Sequence, residues 1–285
     1  MSQQGVHYFP GHMSKAIKMI SGFVKSVELI VEIVDARAPL SCRNPMLTTL
    51  APQKARILLL SKEDMADPAV TKQWLEYYEK NGVPCVSGNL KKEKFVNILN
   101  RAASPFIAAK REKEKRIGMK KQPVRVMIIG IPNVGKSTLI NNLRGKKVAA
   151  VGNKAGVTRA EQWIKLSDDF TLLDTPGILP MNYPDGAQAI RLALLGTMRE
   201  EVLPTEELSY ALLGYLKENY PNILMNRFGI EDITGMDSQI ILQEIAKKRL
   251  LLEGSNLSET KAAYLLIKEF KDGLLGPISL EIPNA

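Results

Sequence analysis

The sequence predicts an α/β fold: a mostly parallel sheet of about six strands flanked by helices, followed by a small all-α region. Three observations predict it. Short apolar runs recur along the first 173 residues, and each ends in a polar loop. One of them, Val124 to Ile129, leads into Gly-Ile-Pro-Asn-Val-Gly-Lys-Ser at residues 130–137, with a helix-like stretch after it. Beyond Gly177 the apolar spacing changes from continuous runs to steps of three and four.

The elements follow in order. Residues 14–25 read as a helix, with Ser14 as N-cap and Ile17, Ile20 and Val24 on one face. Val27 to Val34 reads as a buried strand ending in Asp35-Ala36-Arg37. A short helix is expected near residues 45–50. Arg56 to Leu60 is a second strand and runs into Ser61-Lys62-Glu63-Asp64. Residues 68–81 form a helix with Trp74, Leu75 and Tyr78 inward, and Val83 to Val86 is a third strand before Ser87-Gly88-Asn89. Phe95 to Ile107 is helical. The basic run KREKEKRIGMKK, residues 110–121, is left open between a helix extension or linker and an RNA contact. Trp163 to Leu166 and Phe170 to Leu173 pair as two strands, the second running into Asp174-Thr175-Pro176-Gly177. Leu208, Ala211, Leu212, Tyr215 and Leu216 then keep helical spacing, as do Ala263, Leu266, Ile267 and Phe270. Residues 237–252 read as helix, and only a short tail near 278–282 again resembles a strand.

Composition excludes several classes. At 45% hydrophobic and 24% charged, the chain is ordinary for a globular protein. No run approaches the roughly 20 apolar residues of a membrane span, and the N-terminus lacks the order of a signal peptide. Two cysteines without CxxC spacing indicate neither a zinc site nor a disulfide framework, so a reducing cytoplasm is expected. The net charge of +9 is uneven. Residues 1–180 carry 29 Lys and Arg against 15 Asp and Glu, and residues 181–285 carry 10 against 15. That asymmetry predicts two domains, 1–180 and 181–285, with a basic first domain suited to nucleic acid.

Residues 130–137 have P-loop spacing. Glycines let such a loop curl its N–H groups toward phosphate oxygens. Lys136 would reach the β- and γ-phosphates and Ser137 would ligate Mg²⁺. Asn133, Val134, Gly135 and Thr138 complete the nucleotide-contacting set. Thr158, in a loop after the P-loop helix, could join Mg²⁺ when a γ-phosphate is bound. Asp174 ends a buried strand, where a carboxylate holds Mg²⁺ through water, and the N–H of Gly177 would bond the γ-phosphate. Upstream, the Asp64 carboxylate can accept from the N1–H and amine of guanine, a donor pair that adenine lacks. The Lys62 stem would lie along the base. Ser61 stands where Asn or Thr is usual, which leaves a weaker ATPase reading open. Ser87 and Gly88 would add N–H contacts to the base oxygen.

The base-reading loop precedes the P-loop, which reverses the usual order. An independent domain starting near residue 123 would need three more strands and a base-reader after Gly177. There the closest approach is Thr260-Lys261, with Ala263 where the aspartate should be. A circularly permuted sheet accounts for all six strands and is the expected fold.

This order, with Phe9-Pro10-Gly11-His12-Met13, Asp35-Ala36-Arg37, the P-loop and Asp174-Thr175-Pro176-Gly177, resembles the circularly permuted GTPases of ribosome biogenesis over nearly the whole chain. The resemblance implies a GTPase acting late in assembly of the bacterial large (50S) ribosomal subunit and stimulated by it. It also implies a C-terminal helical domain that contacts ribosomal RNA, although residues 181–285 are net acidic. Ile178 occupies the place where many GTPases carry a water-orienting Gln. From the residues alone, His12 is equally a water-orienting group or a polar residue of the N-terminus; the resemblance makes it catalytic. Asn133 is at the position that binds K⁺ in related GTPases. The alternative to an enzyme is an RNA-binding sensor of GTP and GDP with negligible turnover.

Overall fold

A computed structural model of the chain describes residues 21–43, 51–139, 163–173, 186–198 and 203–283. The strands β1 (Leu29–Asp35), β2 (Ala55–Ser61), β3 (Cys85–Gly88), β4 (Val124–Ile129), β5 (Trp163–Lys165) and β6 (Phe170–Leu173) form one sheet in the order β3-β2-β1-β4-β6-β5. The three strands that precede the P-loop therefore complete the sheet of the three around it. All pairings are parallel except β5 with β6. Every residue of β1 is buried, as expected for a central strand flanked on both edges and faces. Burying each such Val, Leu or Ile stabilises by roughly 1.5–3 kcal/mol.

Local signals explain the helices between them. Helix α1 (Pro68–Lys80) starts at Asp67, whose side chain accepts from the N–H groups of Ala69 and Val70, with Pro68 at its first position. Trp74 and Tyr78 face inward and are buried, and Leu75 is half-buried. Helix α2 runs from Phe95 to Arg116, well past the expected end at Ile107. The basic run thus extends the helix as far as Arg116. Arg111 pairs with Glu114 at 2.6 Å and Asp169 at 2.9 Å, and Lys110 pairs with Glu28 at 2.6 Å. Glu114 belongs to the run, but Glu28 and Asp169 lie outside it, so the run's own sequence could not reveal that anchoring. The free thiols of Cys42 and Cys85 are raised by burial, that of Cys85 to about 12, which fits packing residues.

After residue 186 the chain is mainly helical: α3 (Gly186–Leu194), α4 (Thr205–Asn219), α5 (Pro221–Phe228), α6 (Ser238–Lys248) and α7 (Glu259–Asp272). Two differences from expectation appear. Helix α6 ends at Lys248, and residues 252–257 form a two-stranded hairpin, β7 (Leu252–Glu253) and β8 (Asn256–Leu257), turning at Gly254 with φ 63°. The tail at 278–282 joins no sheet: two of its N–H groups meet single loop carbonyls, and that of Ser279 meets the Tyr220 hydroxyl. The Ile278 N–H donates to Met65 O at 3.0 Å and that of Leu280 to Arg37 O at 2.6 Å. The Glu281 carboxylate accepts from the N–H groups of Leu40 and Ser41 and from the Ser41 hydroxyl, and its carbonyl accepts from Trp74 Nε1. This strap fixes the helical region across the loops that follow β1 and β2. No described helix is long and apolar enough to cross a membrane.

Candidate nucleotide site

Sheet topology decides where the site lies. The chain enters at β1, builds outward through β2 and β3, then returns to β4 on the other side. The loops at the C-terminal ends of β1, β2, β3 and β4 therefore converge at a switch point, where α/β sheets bind ligands.

The P-loop occupies the mouth of β4. A Cβ on Gly130 would sit 2.6 Å from Ile33 O, so only glycine lets the loop start this close to β1. Gly135 has φ 103°, a conformation that side chains rarely adopt. Asn133 also takes a positive φ, 62°, and its Nδ2 donates to Gly196 O at 2.5 Å, just beyond α3. Lys136 and Ser137 open the following helix, Lys136 half-buried and Ser137 exposed. A helix N-terminus presents N–H groups and positive potential to phosphate.

Ser61 closes β2 and is fully buried. Its hydroxyl is engaged by two backbone carbonyls. The single proton is shared between Val134 O at 2.5 Å and Val34 O at 2.9 Å. It therefore ties the P-loop to the sheet. Lys62 follows in a left-handed conformation, φ 55°, and its Nζ pairs with Asp35 Oδ2 at 2.8 Å. Asp35 is wholly buried and also takes Arg37 Nε at 3.0 Å and Nη2 at 2.9 Å. Burial alone would raise this carboxyl. The charges of Arg37 and Lys62, with their hydrogen bonds, outweigh it and hold the pKa at about 2. The Nη1 of Arg37 donates to Phe270 O at 3.0 Å, and its guanidinium lies 5.0 Å from the Phe270 ring centroid. A continuous chain of contacts thus runs from Lys62 to α7.

Asp64 sits in a 3-10 turn, Glu63–Met65. It opens on a pocket of about 190 Å³ with Lys62, residues 89–91, Gly135 and Thr138. Lys271 and Asp272 of α7 complete its wall. The structure thus brings Lys62 and Asp64 together with the P-loop. Ser87 and Gly88 are the last two residues of β3, and the wall is formed instead by Asn89, Leu90 and Lys91 beyond them. Ser87 lines a wider cleft of about 820 Å³ along β3 that contains no P-loop residue, and its carbonyl accepts from Arg101. The smaller pocket contains the P-loop residues Gly135 and Thr138 and is the candidate site.

Sequence reasoning missed residues 89–91 and the α7 pair. The turn after β3 carried a signal in Asn89, whose side chain accepts from the Lys91 N–H at 2.9 Å. Nothing near Lys271 marked it. His12, Thr158, Asp174 and Gly177 lie outside the described residues. Among the described residues no group of three or more His, Cys, Asp or Glu is placed to hold a metal. Magnesium at a P-loop needs few protein ligands, because phosphates and water supply the rest, and the exposed Ser137 hydroxyl fits that donor set.

Comparison with known proteins agrees with this geometry. Residues 125–225 match a family described as 50S ribosome-binding GTPase. Ribosome biogenesis GTPase A of Bacillus licheniformis is 38% identical over 280 residues, spanning 98% of this chain and 99% of the relative. Among solved structures, a GDP-bound TM YlqF superposes with a TM-score of 0.67 at 28% identity, covering 93% of this chain and 99% of the other. GNP-bound YlqF from Thermotoga maritima superposes with 0.66 at 28% identity, covering 95% and 99%.

Proposed function

This chain belongs to the ribosome biogenesis GTPase A family, and on that premise we propose that it is a GTP-driven switch in late assembly of the large (50S) ribosomal subunit. It binds the subunit and its ribosomal RNA in the GTP state and leaves after hydrolysis to GDP. The observation that supports the reading is one pocket lined by the Asp64 carboxylate and by P-loop residues Gly135 and Thr138, with Lys271 and Asp272 of the helical region as its far wall.

The residues divide the work as follows. Asp64 accepts from guanine and Lys62 flanks the base, held in place by Asp35. The P-loop N–H groups and Lys136 hold the phosphates and neutralise charge in the transition state. Ser137, Thr158 and, through water, Asp174 would hold Mg²⁺, which would supply positive charge to offset that of the phosphates. K⁺ at Asn133 would use its amide oxygen, since Nδ2 is committed to Gly196. Thr158 and Gly177 respond to the γ-phosphate, and the change reorients residues 181–285. With Ile178 unable to hydrogen-bond, His12 orients or deprotonates the attacking water once the subunit docks it. Basic surface in residues 1–180 attracts RNA phosphate; the exposed Lys113, Lys115 and Arg116 at the end of α2 belong to it.

The test is multiple-turnover phosphate release with and without large subunits. Stimulated turnover is expected for the native chain and loss of about 10²-fold or more for His12→Ala. A folded His12→Ala protein with native stimulated turnover would remove His12 from the mechanism. Absence of any stimulation in the native chain would favour the sensor reading.

A further inference from the structure

The wall of the nucleotide pocket is not supplied by the sheet alone. Lys62, Asp64 and residues 89–91 form its base side, Gly135 and Thr138 its phosphate side, and between them stand Lys271 and Asp272 at the last turn of α7. Lys136 and Ser137 serve the β- and γ-phosphates and Mg²⁺, so Gly135 and Thr138 face the inner part of the nucleotide. The α7 pair thus stands opposite the ribose and α-phosphate. We propose that Lys271 and Asp272 are nucleotide-contacting residues, with the Lys271 ammonium bonding the α-phosphate and the Asp272 carboxylate accepting from the ribose hydroxyls.

Independent contacts hold this turn at the site. Arg37, bound to Asp35, donates to Phe270 O, one residue before Lys271. The chain after α7 is packed just as closely: a Cβ on Gly273 would lie 2.9 Å from Met65 Cε, and Met65 follows Asp64. Lys271 runs beside Gly196, where a Cβ would come 3.8 Å from its Cδ and Cε. The Gly196 carbonyl is the acceptor for Asn133 of the P-loop. The helix end is thereby fixed to the base-reading loop on one side and to the P-loop on the other. Bound nucleotide then touches the helical region directly, and the position of that region enters nucleotide affinity without passing through the γ-phosphate loops.

The inference rests on the guanine-nucleotide reading of the pocket, and its test separates the two. Isothermal titration of the full chain, without ribosomes, measures GDP, ADP and 2′,3′-dideoxy-GDP. Native preference for GDP over ADP reports the site itself. Lys271→Ala is expected to weaken GDP binding by about tenfold, the loss of one charge-assisted hydrogen bond, with the preference over ADP intact. Lys271→Arg restores most of that loss. The native chain discriminates GDP from the dideoxy analogue, and Asp272→Asn narrows that ratio at unchanged melting temperature. Native GDP affinity in Lys271→Ala, or an unchanged GDP to dideoxy-GDP ratio in Asp272→Asn, would overturn the proposal.

Discussion

Replacing Arg37 with Ala tests how the base-reading loop and the helical region are held together. The guanidinium is 1% exposed and makes two side-chain bonds to Asp35, one to Phe270 O, and a stacking contact with the Phe270 ring. Its removal leaves the Asp35 carboxylate fully buried with Lys62 as its only remaining cation among the described residues, and Lys62 is 24% exposed. Breaking a buried pair from one side costs about 3–5 kcal/mol, because the surviving charge keeps its desolvation penalty. Urea unfolding at pH 7 should show a midpoint lowered by about 1 M or more, given a slope of about 3 kcal/mol per M. The double variant Asp35→Asn with Arg37→Met removes both charges and keeps much of the volume, so it should be more stable than Arg37→Ala alone. A cost below about 1 kcal/mol for Arg37→Ala, or a double variant worse than the single, would refute this reasoning.

Two other outcomes follow from the same loops. The Asp35 pKa of about 2 lies below its unfolded value near 3.9, so its contribution of about 2 kcal/mol is complete above pH 4 and is lost as pH falls through 2; urea midpoints from pH 6 to 2.5 should fall more for the native chain than for Asp35→Asn. Ser61→Ala leaves Val34 O and Val134 O without their hydroxyl donor and frees the P-loop, so stability should drop by about 1–2 kcal/mol. GDP affinity should drop with it in calorimetric titration, while preference over ADP, which the proposed mechanism assigns to Asp64, should survive.

The sheet was legible because its strands are continuous apolar runs, each ending in a loop with recognisable chemistry. Their order relative to residues 130–137 carried the permutation, since only one arrangement used all six. The P-loop and Asp64 were legible for a similar reason: their spacing is local. What was not legible depends on distance. Ser61 reads as a weakened base-reader in the sequence, but its hydroxyl is directed to a carbonyl 73 residues away. Helix α2 continues through a charged run because Glu28 and Asp169 anchor it from other elements. The α7 wall of the pocket is held by Phe270 O, a backbone acceptor 233 residues from Arg37, and backbone acceptors leave no mark in residue type. The strap at 278–282 reads as strand-like because Ile278, Leu280 and Ile282 alternate with polar residues, but its partners are loop backbone and helix side chains such as Trp74.

Co-sedimentation with purified large ribosomal subunits tests the switch most directly. The chain is incubated with GDP, with a non-hydrolysable GTP analogue or without nucleotide, then pelleted and quantified. The account predicts tight association with the analogue and release with GDP, with an affinity difference of at least tenfold, or about 1.4 kcal/mol of coupling. Equal association in GDP and in the analogue would contradict it.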